Sequence, residues 1–404
     1  MAPLDREELA AWLQLLDMPS LGREAVRKLL AVFGSPQGVL DASPSALRDV
    51  GNPALLKVFE GPRPDVSALL DTTLAWLNDV DSGTPARTVI VIGDPRYPQL
   101  LLESADPPLL IYAQGRVEML QREAVAIVGS RNATPQGLEN ARAFAAHLSA
   151  AGVTIVSGLA LGIDGAAHEG ALEASGAKAG STISVVGTGL DRVYPKRHLD
   201  LARRIARAGL IISEYPLGTP PLPPYFPQRN RIIAGLSRGT LVVEAAQSSG
   251  SMITARMAME SSREVFAIPG SIHSAQSRGC NSLIKQGAKL VDRAQDILEE
   301  LQLQDVGPAS RTAESPVSST SSRNSLSAAP SNPQQDLLQG TPAATAIGKD
   351  PLLDAIGYEP ISLDELVART GWPAHELSGR LLDLELQGVV TRMPGQLFQR
   401  LVIA

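Results

Sequence analysis

Between residues 87 and 300 the chain alternates short β-branched and apolar runs with segments of helical character, and this alternation limits the possible folds more than any other feature. The runs are TVIVIG (88–93), LLIYA (109–113), AVAIVG (124–129), VTIVSG (153–158), TISVVG (182–187), LIISE (210–214), TLVVEA (240–245) and EVFAIPG (264–270). They are almost continuously apolar, as strands buried on both faces must be. Helical patterns separate most of them, so the segment 87–300 is expected to be a Rossmann-like, doubly wound α/β domain with a mostly parallel sheet.

The flanks read differently. In residues 1–80, LDREELAAWLQLL and LGREAVRKLLAVFG carry apolar residues at i, i+3, i+4 spacing and end near Gly or Pro. They predict a small helical module of the sterile-alpha-motif or helix-hairpin-helix type, closed by the break DSGTPA (81–86). Residues 303–349 are rich in Ser, Ala, Pro, Thr and Gln, cannot bury enough surface to offset ordering entropy, and are expected to be a disordered linker. Residues 350–404 read as helix, turn, helix and hairpin, a winged-helix module. Its second helix carries Glu376, Asp383 and Glu385 against Arg380, so a protein contact is favoured there over reading of a major groove.

Several classes are excluded. No apolar run reaches the ~20 residues that span a bilayer, and acidic residues stand where a signal peptide carries basic ones; a cytoplasmic protein without membrane contact is expected. Cys280 is the only cysteine and the five histidines are scattered, which disfavours disulfides and metal sites. No cofactor is expected. AVAIVG continues as S-R-N-A-T rather than as a dinucleotide fingerprint, Gly187-Thr-Gly matches only its first two glycines, and no P-loop is present. His168 and Asp164 lie one helical turn apart without a nucleophile elbow. The net charge of −6 hides an uneven distribution: residues 121–300 hold 19 Lys/Arg against 15 Asp/Glu, the remainder 17 against 27. A basic middle suits a local anion site.

Ligands of open parallel sheets sit beyond the carboxyl ends of the strands, beside helix N-termini. Four such ends carry Gly, Ser or cations: Gly129-Ser130-Arg131, with Thr134 and Pro135 as N-cap and first helical residue; Gly158; Gly187 to Lys196 and Arg197; and Ser248 to Ser251, with Ser251 as N-cap. The N–H groups after Gly129, Gly158 and Gly250 are candidate anion donors. The loop from Glu214 to Asn230 is Pro-rich, then aromatic, then basic. Its Phe226 is either a stacking face or a buried anchor, and Arg229 with Arg231 forms a candidate second basic wall. A row of anion sites suits a polynucleotide backbone better than one nucleotide.

VAIVGSRNATPQG, SGLALGIDGAAHEGAL, VVGTGLDRVYPKRH, ISEYPLGTPP, FPQRNRIIAGLSRGTLVVEAAQSSGSMITARMAME, REVFAIPGS and RGCNSLIKQGAKLV, over about 88–292, resemble the DNA-processing protein A (DprA/Smf) family in order and content. The resemblance implies a non-catalytic, homodimeric protein that binds single-stranded DNA and loads a RecA-type recombinase, in many bacteria during natural transformation. Carried onto this chain, the implied contacts are Gly129, Ser130, Arg131, Gly158, Lys196, Phe226, Arg229, Asn230, Arg231, Ser249, Gly250 and Ser251. His198 and Asn281 depart from the family pattern, as does the stretch AKAGSTISVV (177–186); no cation is lost. One enzymatic alternative stays open. Gly239-Thr240 through Glu244 also resembles an element of nucleotide phosphoribohydrolases, although their Pro-Gly-Gly turn is replaced here by Gly-Leu-Ser-Arg. Without that chemistry, Glu244 would be an ion-pair partner of Arg256 or Arg231.

Overall fold

The structure, a computed structural model, describes residues 4–50, 53–79, 83, 85–174, 179–303, 351–356 and 360–401. The expected linker, 303–349, lies outside the described residues except for its first position. Two compact units divide near residue 306.

The larger unit opens with helices α1 (Arg6–Leu16), α2 (Arg23–Phe33), α3 (Pro36–Leu40), α4 (Pro44–Val50), α5 (Pro53–Glu60) and α6 (Ser67–Asn78). Asp5 caps α1 by accepting from the Glu8 N–H, and Gly34 ends α2 in the left-handed region at φ 77°. Leu9, Trp12, Leu13, Val26 and Leu29 form one apolar cluster with Val89, Val91, Leu110 and Tyr112 of the first two strands. The helical module therefore shares its core with one end of the sheet.

That sheet contains β1 (Arg87–Val91), β2 (Leu110–Gly115), β3 (Ala124–Val128), β4 (Thr154–Ser157), β5 (Thr182–Val185), β6 (Leu210–Ser213), β7 (Gly239–Val242), β8 (Glu264–Ala267) and β9 (Lys289–Leu290). Their order is β1-β2-β6-β5-β4-β3-β7-β8-β9. Every pair from β6 to β9 is parallel, whereas β2 runs antiparallel to both β6 and β1. Between the strands come α7 (Gln99–Leu102), α8 (Pro135–Ala150), α9 (Ile163–Glu173), α10 (Leu199–Ala208), α11 (Tyr225–Gly235), α12 (Gly250–Glu260) and α13 (Arg278–Lys285), and α14 (Ala294–Glu300) follows β9. Strand β3 shows why both faces need helices. Ala124, Ala126 and Val128 pack with residues of α11, α12 and α13, while Val125 and Ile127 pack with α8, α9 and α14. The Rossmann-like, mostly parallel class expected from the strand pattern is the class observed. The two-residue β9 is too short to register in that pattern.

From β3 the chain steps through β4, β5 and β6 to one side and then returns to the other side of β3 as β7. The carboxyl ends of β3 and β7 are therefore a topological switch point, where the crossovers diverge and leave a crevice.

The smaller unit contains α15 (Pro351–Ile356), β10 (Ile361–Ser362), α16 (Leu363–Thr370), α17 (Ala374–Leu386), β11 (Val390–Met393) and β12 (Leu397–Arg400), the strands ordered β10-β12-β11. A reciprocal cap between Ser362 and Glu365 starts α16, and Gly371 at φ 71° ends it. Leu366, Leu377, Leu381 and Phe398 fill the core of this winged helix. No described helix is long and apolar enough to cross a membrane.

Candidate functional site

A cleft of about 450 Å³ occupies the switch point. Its first wall is the turn after β3. A Cβ on Gly129 would lie 2.6 Å from Ile163 Cγ1 and 2.9 Å from the Glu244 carbonyl, so only glycine lets the backbone pass between α9 and β7. Ser130 N–H donates to the Glu244 carbonyl (2.7 Å), and the Ser130 carbonyl accepts from Ile163 N–H (3.1 Å). The turn is thus fixed from both sides, and it leaves Arg131 exposed at the mouth.

The opposite wall is the start of α12. Its N-cap is Ser249, two residues before the Ser251 expected from sequence, and the Ser249 side chain makes no capping bond. It pairs with Ser251 Oγ instead, at 2.5 Å. The first-turn amides of Gly250 and Ser251 therefore keep the orphan character of a helix start and its partial positive charge, both at the cleft lining. Asn230, also on the lining, donates from Nδ2 to the Gly250 carbonyl at 3.4 Å.

The other expected anion donors are already engaged. Ser130 N–H is bound as above, Gly158 N–H donates to Asp164 Oδ2 (3.1 Å), and Leu159 N–H donates to His168 Nε2 (3.3 Å). At the Gly158 turn the Gly158, Leu159 and Ala160 amides are all taken up internally, whereas the Gly250 turn, and at the Gly129 turn the Arg131 N–H, carry no such bond among the described residues.

The floor holds two buried groups of opposite charge type, Arg229 and Asp164, joined through the Gly158 backbone rather than by a direct ion pair. Arg229 is 4% exposed and donates from Nη2 to the Gly158 carbonyl at 2.7 Å. Burial lowers its pKa, which the charge of Asp164 partly opposes. Asp164, 6% exposed, has its pKa raised by burial against the pull of Arg229 and of the Gly158 and Ala160 amides. Asp164 is a lining residue that sequence considered only as a neighbour of His168. Its place at the first turn of the helix following β4 was the signal available.

Along the rim stands an aromatic and cationic row. The Arg131 guanidinium carbon sits 5.9 Å from the Phe226 ring centroid, and the Tyr194 ring lies 5.3 Å from the same centroid at 36°. Phe226 is half-buried over Gly187, so it is anchored at one edge and open at the other. Lys196 lies beyond Tyr194, exposed and outside the cleft lining, with no ion pair among the described residues.

Arg231 does not join Arg229 in a second basic wall. The two side chains, two residues apart on α11, leave on opposite faces. Arg231 pairs with Glu214 and, at 3.1 Å, with Asp106, which also holds Arg23 (2.6 Å) and Arg27 (2.8 Å) of α2. Glu244 likewise differs from expectation. Its carboxylate accepts from Thr134 N–H (2.9 Å) and Thr134 Oγ1 (2.5 Å) at the start of α8, rather than pairing with Arg256 or Arg231. His198, one of the departures, places Nδ1 3.0 Å from the Leu159 carbonyl and its ring against Gly165, and so braces the rim.

A family model described as DNA recombination-mediator protein A matches residues 88–302, and one described as DprA winged helix domain matches residues 331–396. The chain is 36% identical over 386 residues to Protein Smf of Escherichia coli, covering 95% of this chain and 94% of that one. It is 48% identical over 209 residues to DNA processing protein DprA of Streptococcus pneumoniae, covering 52% and 72%. The X-ray structure of DNA processing protein A from Streptococcus pneumoniae aligns with a TM-score of 0.60 at 37% identity, covering 74% of this chain and 99% of that one.

Proposed function

The chain belongs to the DNA recombination-mediator protein A family, and on that basis we propose that its switch-point cleft binds single-stranded DNA and delivers it to a RecA-type recombinase. One observation carries the DNA-binding part: Arg131, Phe226 and Tyr194 are aligned along one rim, facing the uncapped start of α12. Cations and orphan amides suit phosphates, and an open ring edge suits an unpaired base. The Ser130 hydroxyl, Arg131, Asn230, Ser249, Gly250 and Ser251 would form the phosphate wall, the turn being held by the close packing at Gly129, with Phe226 as stacking face and Lys196 as outlying cation. Gly158 and Arg229 support the floor from beneath. Arg231 belongs to the ion cluster with α2.

Because these groups address phosphate oxygens and ring faces rather than base edges, binding should tolerate any sequence and weaken steeply with salt. The recombinase step and a homodimeric state follow from the family and are proposed with it. The role is one of binding, not of catalysis: Glu244, the carboxylate a hydrolytic alternative needs, is committed to the start of α8. A gel-shift titration of single- and double-stranded oligonucleotides at two salt concentrations tests the reading. Preferential, salt-sensitive retention of the single strand is expected, and equal or absent retention would remove it. Nucleoside monophosphates incubated with the protein should release no base.

A further inference from the structure

Helix α10 buries Leu201, Ala202, Ile205 and Ala206 in a cluster with Val186 and Ile211. The helical period then places Asp200, Arg203, Arg204 and Arg207 together on the exposed face. Packing asks nothing of these arginines. Arg203 pairs only with Asp200 of its own helix, at 3.2 Å, and Arg204 and Arg207 form no ion pair among the described residues. By contrast Arg87, Arg96, Arg142 and Arg238 each hold a carboxylate. Arg203 and Arg207 also line a groove of about 280 Å³ that reaches Val193, next to Tyr194 at the cleft rim. Lys196 and Arg197, both exposed, stand between rim and helix. After Asp200, which Arg203 neutralises, the cations resume on α10 at Arg203 and Arg204 and recur one helical turn, roughly 5.4 Å, further at Arg207.

We infer that α10 is an auxiliary phosphate track, along which a single strand leaving the cleft past Lys196 continues. The inference rests on the cleft being a single-strand site and adds the strand's exit route. Two features support a polyanion as the occupant: the row starts at the cleft rim, interrupted only by Asp200, whose charge Arg203 meets, and its cations beyond Arg203 are left without carboxylates among the described residues, so they meet a phosphate without first breaking an ion pair.

The test titrates the full-length protein, its R204Q/R207Q variant and a charge-matched R238Q/R293Q variant with oligothymidylates of about 6 and about 20 nucleotides, over a salt series. For R204Q/R207Q, the longer strand should bind several-fold more weakly at low salt, with its log–log salt slope shallower by about 1.4. The shorter strand should bind as it does to the unaltered protein, and R238Q/R293Q should change neither. Unchanged binding of the longer strand would overturn the track while leaving the cleft intact. Equal weakening of both lengths, or the same loss in R238Q/R293Q, would assign the effect to net charge and also overturn it. If the unaltered protein retained neither oligonucleotide, the cleft itself would fail, and the track with it.

Discussion

The Arg229 guanidinium occupies the space that a side chain on Gly158 would need: a Cβ built there lies 1.5 Å from Arg229 Nη1, while Nη2 donates to the Gly158 carbonyl at 2.7 Å. A buried cation, a bare backbone position and Asp164 are thus one unit. Gly158→Ala would force Arg229 from the floor and strip Asp164 of its compensating charge. Stability should fall by roughly 1–3 kcal/mol in denaturant unfolding, with weaker oligonucleotide binding by the folded fraction. An unchanged unfolding midpoint would show that the guanidinium relocates without cost.

Arg131→Ala and Lys196→Ala each remove an exposed cation from the rim. Both should weaken binding to mixed-sequence single strands by similar factors whatever the sequence, and each should flatten the log–log salt slope by about 0.7. Fluorescence anisotropy over a salt series reads both numbers. A slope left intact in both variants would count against the rim as a phosphate contact.

Phe226→Ala separates stacking from charge. It should cost roughly 1–3 kcal/mol of binding with the salt slope retained. Because the ring is half-buried, the variant should keep its circular dichroism spectrum. Unfolding instead would make Phe226 a structural anchor.

Arg231→Met tests the displaced arginine. Glu214, almost fully buried, would lose its closest cation, at a cost on the order of 3 kcal/mol. The helical module should then become more sensitive to limited proteolysis, with oligonucleotide affinity of the intact protein little changed. A selective loss of affinity would return Arg231 to the DNA-binding set.

His168 is fully buried, accepts from Leu159 N–H at Nε2 and lies 2.7 Å from Thr182 Oγ1 at Nδ1. Burial pushes its pKa down to about 3 from 6.5. Between those values the unfolded chain holds a proton that the folded chain refuses. This contribution to stability is therefore complete above about pH 6.5 and lost as pH falls toward 3, by about 1.4 kcal/mol per unit. Asp164 and Glu214, whose pKa values burial raises, act in the opposite sense at acidic pH in both proteins. The difference in unfolding free energy between the unaltered protein and His168→Gln should isolate the histidine. A pH-independent difference would remove this assignment.

Local chemistry was enough to define every strand of the larger unit except the two-residue β9, because continuous β-branched runs such as AVAIV and TIVS have few ways to hide except in a sheet covered on both sides. It was also enough to place Gly129, Arg131, Phe226 and the Ser249–Ser251 turn near one another, since strand ends of a parallel sheet share an edge. Which amides remained open was decided by tertiary structure. Ser130, Gly158 and Leu159 look like anion donors until the folded backbone brings the Glu244 carbonyl, the Asp164 carboxylate and the His168 ring onto them. The same holds for Arg229 and Arg231, adjacent in motif but divided by the helical turn, one to the cleft floor and the other to the carboxylates facing α2. A hydrogen bond or ion pair depends on what lies opposite in space: Glu244 reaches Ser130, and Gly158 reaches Arg229, from segments tens of residues away, while Asp164 and His168 reach Gly158 and Leu159 only because the turn into α9 folds back on β4.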